Sequence, residues 1–246
     1  MPLQDELEKQ GKWLFRWRSY LPLLALPLVL AALKDADYLE RVFGETTEEL
    51  WHIVCFALSF LGLVVRGMTV GHAPKETSGR NTKKQKAKTL NTTGMYSIMR
   101  HPLYFGNFLI MLGIAMFLGV WWLPAFAILI FWLYYERIMI AEEQFLKSKF
   151  GDHYLEWANR TPLFLPDFKK WQKPELPFSF KTVLAREYTG LFVLTTSFAL
   201  LDNLEDILID NAIDLPWVFI FAVGFILYAL LRFLKKRTRF LYIEGR

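Results

Sequence analysis

The chain has 246 residues, of which 54% are hydrophobic and 17% aromatic, and its mean hydropathy is +0.23. Soluble domains are about 45–50% apolar, so this composition excludes disorder, argues against an ordinary cytosolic domain and favours a membrane protein with several spans. The single cysteine, Cys55, excludes an intramolecular disulfide and a cysteine-based zinc site. The net charge of +5 fits either a nucleic-acid partner or the cytoplasmic face of a membrane, and the positions of the basic residues decide between them.

Six apolar stretches, taken in chain order, approach the roughly 20 residues that a helix needs to cross a bilayer. They are Leu14–Leu33, Leu50–Val70, Leu103–Val120, Trp121–Tyr135, Tyr188–Leu201 and Leu215–Leu234. The first stretch follows arginines as a signal peptide would, but no Ala-x-Ala cleavage site comes after it, so we interpret it as a retained span. The sequence therefore predicts an all-α fold, a polytopic integral membrane bundle of about six helices.

The polar segments between these stretches alternate in charge. Acidic residues dominate 35–49 and 202–214, whereas basic residues dominate 9–18, 75–88, 147–173 and 232–239. The positive-inside rule then predicts a cytoplasmic location for both termini and for two long polar segments, Gly71–His101 and Glu136–Arg186. Because the bases lie along membrane boundaries and not on one soluble face, we predict no nucleic-acid binding. We interpret the acidic residues Asp202, Asp206, Asp210 and Asp214 as a solvated outer loop in preference to a cation site.

Several common enzyme signatures are missing from the sequence. It contains no G-x-G-x-x-G, no G-x-x-x-x-G-K-[ST], no H-E-x-x-H and no G-x-S-x-G. A Rossmann domain, a P-loop, a zinc protease and an α/β-hydrolase are therefore disfavoured, and the four dispersed histidines suggest no metal site. Any catalysis is expected inside the membrane bundle.

The first group of candidate residues precedes the third apolar stretch. Pro102 suits the first turn of a helix, because its missing N–H costs nothing there. Arg100 and His101 then lie at the amide-rich helix start, which favours an anionic group. Alternatively, Arg100 reaches lipid phosphate, and Tyr96 and Tyr104 belong to an interfacial aromatic belt.

The second group follows the fourth stretch and contains Glu142 and Glu143. Carboxylates this close to a bilayer are unfavourable unless they pair or serve a site. They could form surface pairs with neighbouring bases, which contribute little stability. However, the short connection Gly119–Trp122 predicts a tight antiparallel hairpin between the third and fourth spans. This hairpin brings the residues near His101 beside Glu142.

Together these residues resemble the isoprenylcysteine carboxyl methyltransferases and the related membrane phospholipid methyltransferases. The similar region runs from about Gly79 to Phe168, and its motifs are Gly94–Ser97, Arg100–Gly106, Glu142-Glu143, Phe150–Trp157, Thr161-Pro162 and Leu165-Pro166. The resemblance implies a methyltransferase that depends on S-adenosyl-L-methionine, bound between the cytoplasmic ends of the last two core spans. It assigns cofactor contacts to Lys88, Thr89, Leu90, Asn91, Tyr96, His101, Pro102, Leu103, Tyr104 and Glu142.

The sequence departs from the family pattern at the residue that would bind the methyl acceptor. Ile138 occupies the position of the family's arginine, and Arg137 is its neighbour; Thr161 stands where the family usually has valine. We therefore take Arg137, Glu143 and Arg100 as the candidate catalytic residues. No metal is predicted.

The chemistry of methyl transfer leaves the acceptor open. An in-line displacement at a sulfonium needs alignment and exclusion of water more than acid–base groups. An oxyanion acceptor, such as a prenylcysteine carboxylate or a lipid phosphate, needs a cation such as Arg137 or Arg100. An amine acceptor needs a base, for which Glu136 or Glu143 would serve. We predict a lipid-linked oxyanion and keep as alternatives a phospholipid amine N-methyltransferase, a nicotinamide-dependent sterol-type reductase and a non-catalytic membrane scaffold.

The domain prediction follows the same boundaries. We expect N-terminal membrane helices in 1–71, a methyltransferase core in 72–170 and a C-terminal helix pair in 171–242. The last four residues, Ile243–Arg246, resemble a protease recognition sequence, so we predict no functional role for them.

Overall fold

The computed structural model describes residues 2–18, 20–36, 38–74, 87–209 and 211–245. These residues form an all-helical protein, and no strand occurs among them. The α-helices are α1 (Leu3–Trp17), α2 (Leu26–Ala32), α3 (Tyr38–Phe43), α4 (Glu45–Gly71), α5 (Met95–Ile98), α6 (Pro102–Met116), α7 (Trp122–Phe150), α8 (Asp152–Arg160), α9 (Phe180–Ile209) and α10 (Leu215–Arg237). Short 3-10 turns occupy Leu21–Ala25, Leu33–Asp35 and Phe168–Lys170.

The prediction of a helical membrane bundle is confirmed. Within the described residues, α4, α7 and α10 are long and apolar enough to cross a bilayer, and α6 is an apolar helix of 15 residues. Large apolar side chains are exposed along these helices, among them Ile53, Leu129 and Phe225. In water such a surface would be unfavourable, whereas lipid solvates it.

The predicted continuous span over Leu14–Leu33 is wrong. Helix α1 ends at Trp17, a 3-10 turn covers Leu21–Ala25, and α2 has only seven residues. Prolines at positions 22 and 27 explain the break, since proline lacks the N–H that a continuing helix requires. Pro27 instead lies in the first turn of α2, where that loss is harmless.

Helix α7 continues past the predicted end of the fourth apolar stretch at Tyr135, through the charged residues from Glu136 to Phe150. Its 29 residues extend about 43 Å at 1.5 Å per residue, longer than the roughly 30 Å hydrocarbon core. The charged second half of α7 therefore projects beyond the apolar part. Helix α9 likewise exceeds its prediction, with 30 residues in place of Tyr188–Leu201.

Close packing of α4 against α6 forms the centre of the bundle. A Cβ atom placed at Gly113 would clash with Ser59 Oγ and with the backbone oxygen of Cys55. The Ser59 hydroxyl donates a hydrogen bond to the Ile110 carbonyl at 2.9 Å. Small residues and an interhelical hydrogen bond are how helices approach each other in lipid, so this contact sets the position of α6 against α4.

The predicted hairpin of α6 and α7 is confirmed. Gly119 makes the turn with φ of 66°, a left-handed conformation that favours glycine. Its N–H donates to the Met116 carbonyl at 3.0 Å. The hairpin returns α7 alongside α6 and brings the last turns of α7 to the start of α6.

The acidic segment at the far end of the bundle departs from the prediction of a solvated loop. Asp202 is only 4% exposed, and His52, whose ring stacks on Phe117, lies beside it. Asp206 and Asp214 are half-buried, and Asp210 lies outside the described residues. Asp202 therefore lies on α9, with its side chain in the packed interior of the bundle, and is not a loop residue.

Candidate functional site

The site begins where the chain enters α6. His101 is the residue that precedes the helix, and Pro102 occupies its first turn. The Arg100 N–H donates to the Pro162 carbonyl at 2.8 Å, and the Asp167 N–H donates to the Ile98 carbonyl at 3.0 Å. The segment after α8 thus pairs with the segment before α6, which brings the two motifs Thr161-Pro162 and Arg100–Gly106 together.

His101 lies between the two neighbouring carboxylates of α7. Its Nε2 is 3.1 Å from Glu143 Oε1, and its Nδ1 is 3.7 Å from Glu142 Oε2. The imidazole is buried, at 5% exposure, and the Tyr104 ring stacks on it with a centroid distance of 5.5 Å. The two carboxylates can be on either side of one ring because consecutive helix residues differ by about 100° around the axis.

The guanidinium of Arg100 lies on the Glu143 side of His101. Its Nη1 lies 2.9 Å from Glu143 Oε1, the same oxygen that faces His101. Burial alone would raise the pKa of the Glu143 carboxyl. The hydrogen bond and charge of His101, followed by the charge of Arg100, outweigh burial and lower the pKa of Glu143 below its ordinary value. Glu143 is therefore held as a carboxylate.

A polar pocket of about 460 Å³ opens beside this ion pair. Arg100 and Glu143 lie on one wall, and the other lining residues come from the end of α7, from α8 and from the segment after it. The buried Nε–H of Arg100 has no hydrogen-bond acceptor among the described residues. Arg100 thus has one guanidinium donor without a protein acceptor, and the same side chain lines the pocket.

The Glu142 side of His101 is formed by tyrosines. The Tyr104 hydroxyl lies beside the Glu142 carboxylate, and the Tyr96 hydroxyl lies beside Asn91. Burial, and then the charge of Glu142, raise the pKa of Tyr96. The Trp157 indole donates to the Tyr96 carbonyl at 3.0 Å and so anchors α5 to α8. Tyr96 and Tyr104 are therefore protonated hydroxyls around one carboxylate.

The remaining residues of the predicted cofactor site belong to the first turn of α6 and to the segment before α5. Pro102 is buried and Leu103 half-buried in the first turn of α6. Lys88–Asn91 run without regular secondary structure into α5, with Lys88 and Thr89 exposed and Leu90 and Asn91 half-buried. Among the residues that the resemblance assigned to the cofactor, the structure brings together Asn91, Tyr96, His101, Tyr104 and Glu142.

Arg137 is not part of this group. Its Nε donates to Gln10 Oε1 at 2.8 Å, and its Nη1 donates to the Leu133 carbonyl one turn back. Arg137 precedes Glu143 by six residues, so the two side chains point about 120° apart around the axis of α7. It lines a separate groove of about 890 Å³ between α1 and α7, together with Trp13 and Tyr134.

The position of the family's arginine explains this departure. Ile138 is fully buried and packs in an aromatic cluster with Tyr104, Phe131 and Phe164. A guanidinium at this position would be buried among apolar rings, which is unfavourable without a paired charge.

A buried polar network was missed by the sequence reasoning. Arg66 on α4 pairs with both oxygens of Glu187 on α9 at 2.8 and 2.9 Å and donates to Asn107 Oδ1 at 2.6 Å. The Asn107 amide in turn donates to the Tyr135 hydroxyl at 3.0 Å. The signal was available, since an arginine inside the apolar stretch Leu50–Val70 marks a paired or functional group.

Comparisons with known proteins match the middle part of the chain. The phospholipid methyltransferase family matches residues 50–153. Protein-S-isoprenylcysteine O-methyltransferase B of Arabidopsis thaliana is 31% identical over 150 residues, 58% of this chain and 73% of that protein. The Schizosaccharomyces pombe protein-S-isoprenylcysteine O-methyltransferase is 29% identical over 117 residues, 45% of this chain and half of that protein.

A shorter region matches a bacterial protein with a different description. The cobalt-zinc-cadmium resistance protein CzcN of Cupriavidus metallidurans is 40% identical over 82 residues, 33% of this chain and 38% of that protein. The chain thus spans half or less of the length of two of these three relatives. No solved structure matches it significantly. Because nearly three quarters of the Arabidopsis protein aligns at 31% identity, the chain belongs to the family of isoprenylcysteine O-methyltransferases and phospholipid methyltransferases.

Proposed function

We propose that this protein is an integral membrane methyltransferase that takes its methyl group from S-adenosyl-L-methionine and transfers it to a lipid-linked oxyanion. The observation that carries the proposal is the position of His101 between Glu142 and Glu143 at the start of α6. It joins two motifs of the family in one contact. The names of the family and of the relatives support methyl transfer to a lipid or a prenylated cysteine.

The residues on the Glu142 side fit the chemistry of this cofactor. S-adenosyl-L-methionine carries a sulfonium and an ammonium, and cations of this kind favour a carboxylate and the faces of aromatic rings. Glu142 supplies the carboxylate, and Tyr96 and Tyr104 supply the rings. The backbone of Lys88–Asn91 would hold the adenosine. When bound, the cofactor supplies an electrophilic methyl group.

The residues on the Glu143 side favour an oxyanion acceptor. Glu143 is paired with His101 and Arg100, and its lowered pKa makes it a weak general base. An amine acceptor would need a base, whereas a carboxylate or phosphate needs only to be held and aligned. The Arg100 guanidinium, which lines the polar pocket and has one donor without a protein acceptor, would bind such an oxyanion. In this proposal Glu143 positions Arg100 and His101.

Arg137 is the second candidate for binding the acceptor. The groove that it lines has apolar side chains of α1 and α7 along its length, among them Leu14 and Ile130, and Lys9 beside the arginine. This arrangement suits a lipid chain with an anionic head. The contacts among His101, Glu143 and Arg100 favour Arg100, since methyl transfer requires the acceptor to lie beside the cofactor.

We further propose that the site faces the cytoplasm, as the basic segments near it indicate. The division into 1–71, 72–170 and 171–242 is also a proposal. The Arg66–Glu187 ion pair joins the first part, 1–71, to the last part, 171–242.

Purified protein in detergent tests the function. Titration calorimetry would measure the affinity for S-adenosylmethionine and for its demethylated product. Transfer of a radioactive methyl group would then be compared between N-acetyl-S-farnesyl cysteine, whose amine is blocked, and phosphatidylethanolamine. Methylation of farnesyl cysteine supports the proposal, and methylation of the amine lipid alone supports the amine alternative. Absence of binding of either cofactor form would overturn both and favour a scaffold.

A further inference from the structure

The far end of the bundle holds a second group of charged residues. Along α9, Asp202 follows Glu187 by 15 residues, about 22 Å at 1.5 Å per residue. Along α4, His52 precedes Arg66 by 14 residues, about 21 Å. The His52 ring stacks on Phe117, just past the end of α6 and therefore at the end opposite to His101. This group is separate from the proposed methyltransferase site.

Three aspartates converge at this end. Asp202 and Asp206 are one helical turn apart on α9, and Asp214 is the residue that precedes α10. One carboxylate oxygen from each lies within 4.8 Å of the others. Asp214 could cap α10 through its side chain, as aspartate commonly does, but its side chain makes no capping hydrogen bond. Its carboxylate instead belongs to the cluster with Asp202 and Asp206.

Asp202 provides an independent sign that a ligand belongs here. Its side chain is 6% exposed, and its Oδ2 accepts no hydrogen bond from the described residues. The basic side chain beside it within the described residues is His52, whose Nδ1 lies 3.7 Å from Oδ1. The charges that act most strongly on Asp202 are acidic, those of Asp206, Asp214 and Glu48. A buried carboxylate in such surroundings either binds a proton or a cation.

We propose that Asp202, Asp206 and Asp214 bind a divalent cation of the oxygen-preferring class, Ca²⁺ or Mg²⁺. Carboxylate oxygens are the ligands that these cations prefer, and solvent can complete the coordination at the two half-buried members. The bound cation would neutralise three repelling charges and link α9 to the start of α10. Because His52 lies against Asp202, the link would extend to α4. The site thereby stabilises the end of the bundle that the methyltransferase site does not use.

Terbium luminescence tests this proposal on the full chain in a zwitterionic detergent, which contributes no anionic head groups. Trp217, in the first turn of α10, is a sensitiser close to Asp214 in the chain. We expect saturable terbium luminescence that Ca²⁺ or Mg²⁺ displaces. Asp202→Asn should weaken binding at least about tenfold, as expected for loss of a charge-assisted contact. The matched control is Asp152→Asn, an exposed aspartate at the start of α8, and it should bind as the native chain does.

Thermal unfolding provides the second measurement. A cation that binds only the folded chain raises the melting temperature, so Ca²⁺ should stabilise the native chain and the Asp152→Asn variant but not Asp202→Asn. If Asp202→Asn does not fold, the more exposed Asp214→Asn takes its place. Equal terbium binding by the aspartate variants and the native chain would overturn the proposal. So would a chain that Ca²⁺ leaves unchanged and Asp202→Asn stabilises, because Asp202 would then hold a proton.

Discussion

The imidazole of His101 lies 3.1 Å from the Glu143 carboxylate, although the two residues are 42 positions apart in the chain. His101 is set by the start of α6 and Glu143 by the extension of α7 beyond its apolar part. Their contact therefore depends on the turn at Gly119 and on the lengths of both helices. It also separates Glu142 and its tyrosines from Arg100 and its pocket, which divides the cofactor side from the acceptor side in our proposal.

Glu142→Gln should weaken the binding of S-adenosylmethionine. The substitution removes the charge that faces the tyrosines and keeps the size of the side chain. Charge-assisted hydrogen bonds contribute about 1.5–3 kcal/mol, so the affinity should fall roughly 10- to 150-fold. Calorimetry measures the change. Glu136→Gln, two turns earlier on α7, is the control, and an unchanged affinity in Glu142→Gln would remove Glu142 from the cofactor site.

Arg100→Lys should impair turnover more than Arg137→Lys does. Lysine keeps the charge but loses the planar fork that matches a carboxylate or phosphate, and only Arg100 lines the pocket beside Glu143. We expect kcat for Arg100→Lys to fall at least about tenfold, the equivalent of 1.4 kcal/mol, with little change in cofactor affinity. The opposite order of the two variants would assign the acceptor to the groove at Arg137.

Glu143→Gln should destabilise the protein at neutral pH and less so in acid. The pKa of Glu143 is lowered on folding from its ordinary value of 4.5. The carboxylate therefore contributes stability above pH 4.5, and this contribution is lost as the pH falls through the lowered pKa. Melting temperatures of native chain and variant should differ at pH 7 and converge below pH 4.5. A constant difference across this range would show that the charge of Glu143 is not responsible.

Gly113→Ala should destabilise the contact between α4 and α6. The added methyl group meets the backbone of α4 at Cys55, which cannot move as a side chain can. Overpacking of this kind costs about 1–3 kcal/mol or more, and thermal unfolding in detergent would detect it. Gly67→Ala, on α4 itself, is the control, since among the described residues the only atom near its added methyl group is a side-chain methyl of Val183, 3.3 Å away. Equal melting temperatures for the two variants would contradict the close contact.

The sequence by itself predicted the class of the fold and the meeting of the two motifs. Composition determines solvation, so the abundance of apolar and aromatic residues was enough to place the chain in lipid. Pro102 and Gly119 act locally on the backbone, and they set the start of α6 and the turn before α7. The proximity of His101 to the acidic pair followed from these local features.

Helix boundaries were predicted less well where polarity and helix propensity disagree. Hydropathy ended the fourth span at Tyr135, yet the residues that follow include many good helix formers and the helix continues to Phe150. In the first stretch the apolar pattern continued across Pro22 and Pro27, but the backbone could not. Hydropathy reports what surrounds a segment, whereas hydrogen bonding decides where a helix ends.

Only the tertiary structure decided which charged residues share a site. Arg137 and Glu143 are six residues apart on one helix but face different partners, α1 and α6, because of the angle between them. Arg66 and Glu187 pair across 121 positions, and Asp202 is buried beside His52 from another helix. Such pairings depend on how the helices pack, and packing depends on contacts between residues that the sequence keeps far apart.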